Sequence, residues 1–420
     1  MTSLRRWMMG AVVAWAMLSL GCGDHAGGGR SGDGGLDAAG DALVQGADAR
    51  ADSSVETKDS GGQDAGDHVC PDPGGTFAVQ AVLGQVANGQ TLVVCGDQFG
   101  DQGPDLVLFD DFEQGLVGER VADSTPLIGA WLGGNALYVD DMARSGDQAF
   151  LAADADVNDG HGLQLIFGVP DPNGRFGLRE FDEFFMAWSI RDLGDFPGND
   201  SSPTQFSSDS SAKDIWVMFG DRGDNYDWSC SQGECNGNDV VLATHSGRGS
   251  FKIDGNTTRS SWWLPDFWEF QQWNTMHVYL KIDPDRPYEA STGIFEHVSM
   301  GLGYLRDEYD GQILQDLDGL IPVWDRAKLA AWYRTAGDVR RIFDDVYLAI
   351  GPGAAARIEI GNAPDIQDVT KLAVSTVTSW SNGRIEFTVR LGDLDPNVDD
   401  LYLFVVRADH ERSSGYHLVP

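Results

Sequence analysis

Four side chains in this sequence have the types needed for proton transfer beside an anion: His245, Tyr279, Arg191 and Lys281. A histidine can act as base and a tyrosine as acid, while Arg and Lys neutralise the carboxylate of an acidic substrate. No tight motif surrounds these residues, so the set stands on residue type alone. A second set is Glu180, Asp182 and Glu183. Glycoside hydrolysis with retention needs two carboxyl groups about 5–5.5 Å apart, a pair that alternate positions on one strand face can supply. Glu180 and Asp182 satisfy that alternation, but Glu183 is adjacent to Asp182 and points to the other face. Phe184 and Phe185 follow, so the segment reads as the start of a core strand.

The strands that must position these groups suggest a binding face as readily as a catalytic one. In 277–283 Val278, Leu280 and Ile282 read as core, which leaves His277, Tyr279 and Lys281 on the opposite face. In 214–220 Ile215, Val217 and Phe219 read as core and leave Trp216 opposite. His245 ends the strand 240–244, and Arg191 ends the strand 184–190. If these strands are neighbours, Arg191, Trp216, His245, His277, Tyr279 and Lys281 line a concave groove. Sugar rings stack on Trp and Tyr, and their polar groups pair with His, Lys and Arg. The aromatic segment 261–268, with Trp273, could wall that groove or plug the core.

The chain has 420 residues, 42% of them apolar, which is enough for two domains with real cores. A formal charge of −36 excludes nucleic acid and anionic membrane surfaces as partners that need basic patches. An acidic surface also suits Ca2+ uptake. Residues 23–69 are Gly, Asp, Ala and Ser with almost no large apolar side chain, and read as a disordered tether reaching about 40 Å. Before it, Arg5 and Arg6 precede an apolar run, 7–20, too short to span a bilayer comfortably. That run ends in Leu18-Ser19-Leu20-Gly21-Cys22, which resembles a bacterial lipoprotein signal, with Ser19 departing from the aliphatic residue preferred there. The resemblance implies lipidation of Cys22 and an exported protein, anchored at the outer membrane or cell surface through lipid alone. Of 5 cysteines, Cys22 is then spoken for, and Cys70–Cys95 with Cys230–Cys235 is the economical pairing. The alternative is a zinc site, for which His245 is the one histidine nearby in sequence.

The turn Gly96-Asp97-Gln98-Phe99-Gly100 resembles the opening of an IPT/TIG domain, an immunoglobulin-like module. Its next strand, expected soon after, appears instead at Arg357-Ile358-Glu359-Ile360-Gly361. In 384–390 Ile385, Phe387 and Val389 alternate with polar residues. The resemblance implies one discontinuous domain, 76–103 plus 351–420, after a signal peptide (1–21) and tether (22–70).

The insert, 104–350, is rich in short β-like runs, with a helical stretch expected at 324–334. It opens on Phe109-Asp110-Asp111-Phe112-Glu113 and closes on Phe343-Asp344-Asp345-Val346-Tyr347. That bracket, with Ser145-Gly146-Asp147-Gln148-Ala149, resembles the concanavalin A-like jelly roll of lectins, laminarinases and polysaccharide lyases. The resemblance implies an all-β chain whose insert has its first and last strands side by side. It also implies a structural Ca2+ held by Glu113 and Asp345. The leading expectation is a surface-tethered, noncatalytic carbohydrate-binding or adhesion lipoprotein, with a glycan or cell-surface polysaccharide as partner. The alternatives are a polysaccharide lyase or glycoside hydrolase working in the groove, and a structural cell-envelope protein.

Overall fold

The computed structural model describes residues 70–72, 74–140, 142–153, 165–168, 181–194, 211–218, 239–245, 250–255, 261–263, 269, 271–282, 291–311, 326–334 and 339–419. The described chain is built of antiparallel strands, in three sheets. Two strands come first, β1 (Ala78–Leu83) and β2 (Thr91–Asp97). Then follow β3 (Asp105–Asp110), β4 (Trp131–Gly134), β5 (Leu137–Val139), β6 (Ala149–Ala153), β7 (Leu165–Gly168), β8 (Glu183–Gly194), β9 (Ser211–Met218) and β10 (Asp239–His245). The middle continues with β11 (Ser250–Gly255), β12 (Ser261–Trp263), β13 (Asn274–Ile282), β14 (Ser291–Ser299), β15 (Gly303–Gly311), β16 (Arg326–Arg334) and β17 (Val339–Ile350). Five strands close the chain: β18 (Arg357–Gly361), β19 (Leu372–Ser381), β20 (Arg384–Thr388), β21 (Leu401–Val406) and β22 (Tyr416–Leu418).

The first two strands and the last five form a small sandwich, in the order β1-β2-β20-β19-β18-β21-β22. The long β19 serves both halves. Its residues 372–375 pair with β18 and 376–381 with β20, the second pairing carrying a register shift at Val377/Ser379. The result is the immunoglobulin arrangement, with one sheet of A-B-E-D type and one of C′-C-F-G type. Leu92, Val94, Ile358, Ile360, Ile385, Phe387, Leu403 and Val405 fill the space between them. The alternation expected at Ile385, Phe387 and Val389 holds, and all three are fully buried. Cys70 and Cys95 form a disulfide that ties the start of the described chain to β2.

The chain leaves this sandwich after β2 and returns at β18. The two crossings touch. A Cβ on Gly353 would lie 2.0 Å from the carbonyl oxygen of Gly103, so only glycine lets the backbones pass.

Between the crossings lie an eight-stranded sheet, β15-β14-β13-β8-β17-β6-β5 with β3 beside β17, and a seven-stranded sheet, β12-β11-β10-β9-β16-β7-β4. First and last strands of the insert lie together, as the acidic bracket implies: β3 pairs with β17 from Val346↔Asp110 to Ile350↔Asp105. This is an all-β jelly-roll sandwich. Aromatic rings join its sheets, since Phe112 stacks on Trp131 of β4 and meets Phe150 of β6, which stacks on Phe343 of β17. The helix expected at 324–334 is instead β16. Its Ala, Lys, Leu and Arg favour a helix locally, but β9 and β7 claim its backbone from both sides.

The other face of the eight-stranded sheet is covered by the small sandwich. Phe185, Ala187, Tyr279, Ile294 and Tyr347 pack against Ala354, Ala355 and Val374. Farther along, Val298 and Tyr304 pack against Val369, Leu372 and Phe404.

Candidate functional site

Strand β13 presents two faces, divided as the alternation requires. Met276, Val278 and Leu280 are buried on one side, and His277, Tyr279 and Lys281 lie on the other. That second face was expected to line an open groove. It does not. The small sandwich covers it, leaving His277 2% and Tyr279 4% exposed, and only Lys281 reaches solvent.

Under the cover lies a network of buried charge. From the jelly roll come His277 on β13, Glu296 on β14, and Tyr304 and Arg306 on β15. From the small sandwich come Arg357 and Glu359 on β18, and Arg412 in the connection from β21 to β22. Arg357 donates to Glu296 at 2.6 Å and to Glu359 at 2.7 Å. Arg412 donates to Glu359 at 2.8 Å and to Glu296 at 2.8 Å. Tyr304 donates its hydroxyl proton to Glu296 and accepts from Arg412 at 2.9 Å. Burial alone would raise both carboxyl groups, but the two guanidiniums hold Glu296 well below, and Glu359 below, the ordinary carboxylate value. Burial pushes His277 down, so its imidazole is neutral at pH 7.

His277, Glu296 and Glu359 also form a group whose ligand atoms lie close enough to hold a metal ion. Their chemistry here is different. Both carboxylates are spent on Arg357 and Arg412, and a metal would meet those two positive charges at once. The cluster is an ion-pair weld between sandwiches.

Beyond Tyr279 the seam opens into a cleft of about 840 Å3. One wall is Glu183, Tyr279 and Lys281 of the jelly roll, and the other is Asp101, Gln102, Arg407, Asp409 and His410 of the small sandwich. Lys281 lies 3.0 Å from Glu183. Arg407 binds Asp409 and Glu411, donates to the carbonyl of Gln98 at 3.3 Å, and covers the ring of Phe77. His410 sits at the tip of the turn after β21 with φ +68°, a conformation uncommon outside glycine. Its ring meets Tyr279 edge-on at 4.2 Å, which pins the turn. Burial, with repulsion from Arg357 and Arg306, pushes His410 down to about 4, so it too is neutral at pH 7. Burial and the neighbouring Glu183 carboxylate push the Tyr279 phenol up.

The remaining expected residues do not join this cleft. Trp216 on β9 and His245 at the end of β10 belong to the seven-stranded sheet, two strands paired to each other. Tyr279 faces the small sandwich, away from the Phe112–Phe150–Phe343 stack that joins the two jelly-roll sheets. The base–acid pair His245 and Tyr279 is therefore not assembled on one sheet face. Arg191 ends the apolar stretch of β8 and donates to the carbonyl of Gln271 at 3.0 Å. Glu113 and Asp345 both contact the loop 145–148. Glu113 accepts the amide protons of Asp147 and Gln148. Asp345 accepts from Arg144 at 2.9 Å and from the Ser145 hydroxyl at 2.8 Å. Cys22, Cys230, Cys235 and Glu180 lie outside the described residues.

Sequence reading missed Asp101, Arg407, Asp409 and His410. The available signal was the charged run Arg407-Ala408-Asp409-His410-Glu411-Arg412 directly after an apolar strand.

No protein-family model and no curated protein matches the chain. Solved structures do. An alginate lyase from Aplysia kurodai is 10% identical with a TM-score of 0.34, covering 52% of this chain and 87% of its own. The alginate lyase vAL-1 from Chlorella virus is 10% identical with a TM-score of 0.33, covering 52% and 91%. The Lotus tetragonolobus seed lectin is 11% identical with a TM-score of 0.30, covering 51% and 93%. At these identities the likenesses assign this chain no ligand and no reaction.

Proposed function

We propose that this chain is a noncatalytic carbohydrate-binding protein, exported and tethered by a lipid at Cys22, and that it holds its glycan in the cleft between its two sandwiches. The cleft carries the reading. It is roomy enough for an oligosaccharide. Its rim alternates carboxylate acceptors with the ammonium of Lys281, and neutral His410 lies between them. Hydroxyl groups, each both donor and acceptor, match such a surface. The noncatalytic part rests on the separation of His245, on the seven-stranded sheet, from Tyr279, on the eight-stranded one.

The test is a glycan screen on the full chain, with Ca2+ and with chelator, that follows binding, unsaturated-uronate absorbance and reducing ends together. The expected outcome is binding without product, weakened by Lys281→Ala and left intact by His245→Ala. Product formation lost in His245→Ala would replace this reading with a lyase.

A further inference from the structure

We infer that the cleft selects an uncharged, polyhydroxylated ligand, a neutral oligosaccharide, and discriminates against both uronate and amine-bearing polymers. The inference rests on the proposed function and adds the class of glycan.

The charges in the cleft come in matched pairs. Glu183 stands against Lys281 at 3.0 Å, and Asp409 against Arg407. The guanidinium of Arg407 is further consumed by Glu411, by the carbonyl of Gln98 and by its seat over Phe77. Among the described residues lining the cleft, no guanidinium fork is left to take an incoming carboxylate side-on. Lys281 could be drawn away from Glu183 only by leaving that carboxylate, 3% exposed, without its cation. A polyanion would also approach a chain of formal charge −36. A polyamine fares no better, because Glu183 and Asp409 already hold their cations. Asp101 remains, exposed at the rim, and a single exposed carboxylate adds little.

Hydroxyl groups need no displacement. The ammonium of Lys281 has three N–H donors, and a single contact with Glu183 leaves the others to serve ligand oxygens. The oxygens of Asp101 and Asp409, both exposed, accept from ligand hydroxyls. Neutral His410 offers one donor and one acceptor. The aromatic rings in the cleft, Phe99 and Tyr279, are buried at 0% and 4% exposure, so the ligand is gripped by its hydroxyl edge instead of stacked by its face.

The test is calorimetric titration of the full chain with three sets of oligosaccharides of equal length: neutral, uronate-bearing and amine-bearing. The cleft variants are Lys281→Gln and Asp101→Asn, both at exposed positions, with thermal unfolding confirming that each folds. The expected result is binding of a neutral set at least ten-fold tighter than either charged set. Raising the salt from about 0.05 to about 0.5 M should leave it within two-fold, since screening acts on charge pairing and spares hydrogen bonding to a neutral ligand. Each variant should weaken it five-fold or more. Tightest binding of a charged set, lost in salt and lost in the cleft variants, would overturn this inference while leaving the cleft as a glycan site. Neutral binding untouched by both variants would also overturn it, because the site would lie elsewhere. Failure of every set to bind would overturn the proposed function itself.

Discussion

His277 and Lys281 stand four residues apart on the same face of the same strand, and their surroundings are opposites. At His277 the small sandwich closes down, and the neighbouring charges are matched and buried, save Arg306, which is 25% exposed. Glu296 meets Arg357, Arg412, Arg306 and Tyr304, while Glu359 meets Arg357 and Arg412. At Lys281 the cover has lifted and the ammonium is half exposed. Identical backbone geometry thus supports a weld at one end and a binding surface at the other. What decides between them is the second domain, whose β18 lies over His277 and whose β21–β22 turn stands back from Lys281. Cost follows the same division in degree: a charge lost at the weld strands two buried guanidiniums, whereas Lys281 lost at the cleft strands the Glu183 carboxylate alone.

The largest expected effect breaks the weld. Glu359→Ala leaves Arg357 and Arg412 short of a buried partner and should destabilise the protein by about 3–5 kcal/mol, read from urea unfolding. Tyr304→Phe removes one charge-assisted hydrogen bond to Glu296 and keeps the charges, so about 1.5–3 kcal/mol is expected. If Glu359→Ala cost no more than a surface substitution, the two ends of the strand would not differ as argued.

Acid should act at the weld as well. The folded-state values of Glu296 and Glu359 are depressed, so their stabilisation is fully present above the ordinary carboxylate value of 4.5 and is lost as pH falls through the folded values. Asp110 works in the opposite sense. Buried against Trp131, it is pushed up to about 7 from an ordinary 3.8. The folded chain therefore holds that proton more tightly, and stability falls as pH rises from about 4 to about 7. His277 and His410, both pushed down from an ordinary 6.5, oppose Asp110 over this range, since stability is lost as pH falls below that value and they charge in the unfolded chain first. A thermal unfolding series across pH checks this balance, and Glu359→Gln should flatten the acid limb alone.

How far the sequence reached is visible on these same residues. Alternation placed His277, Tyr279 and Lys281 on one face correctly, because the pleat is local. The pairing of β3 with β17 was legible in the acidic-aromatic bracket, and the burial of Ile385, Phe387 and Val389 in their period of two. What covers a face is not local. Ala354, Ala355 and Arg357, which shut the expected groove, lie more than seventy residues from His277 and look like any small-residue turn and strand start. For the same reason Arg407, Asp409 and His410 went unread: nothing nearby in sequence says they face Lys281. The pairing of Asp345 with Arg144 is equally hidden, because two hundred residues separate them. The misread helix at β16 has the same origin, since local propensity was overruled by two strands drawn from elsewhere.

The smallest effect on stability is also the sharpest test of the contrast. Lys281→Ala removes a half-exposed cation 3.0 Å from Glu183, whose buried carboxylate keeps its hydrogen bond to the Tyr279 hydroxyl. A loss of about 1–3 kcal/mol is expected, against about 3–5 for Glu359→Ala on the covering β18 strand. Binding should reverse the order. Lys281→Ala leaves a folded protein with a damaged cleft, whereas Tyr304→Phe weakens the fold and, once corrected for the folded fraction, leaves glycan affinity where it was. Unfolding and titration on the same two variants measure both axes. Should Lys281→Ala unfold the protein as readily as a weld variant, the half-exposed end of β13 would be structural, and the cleft would lose its donor.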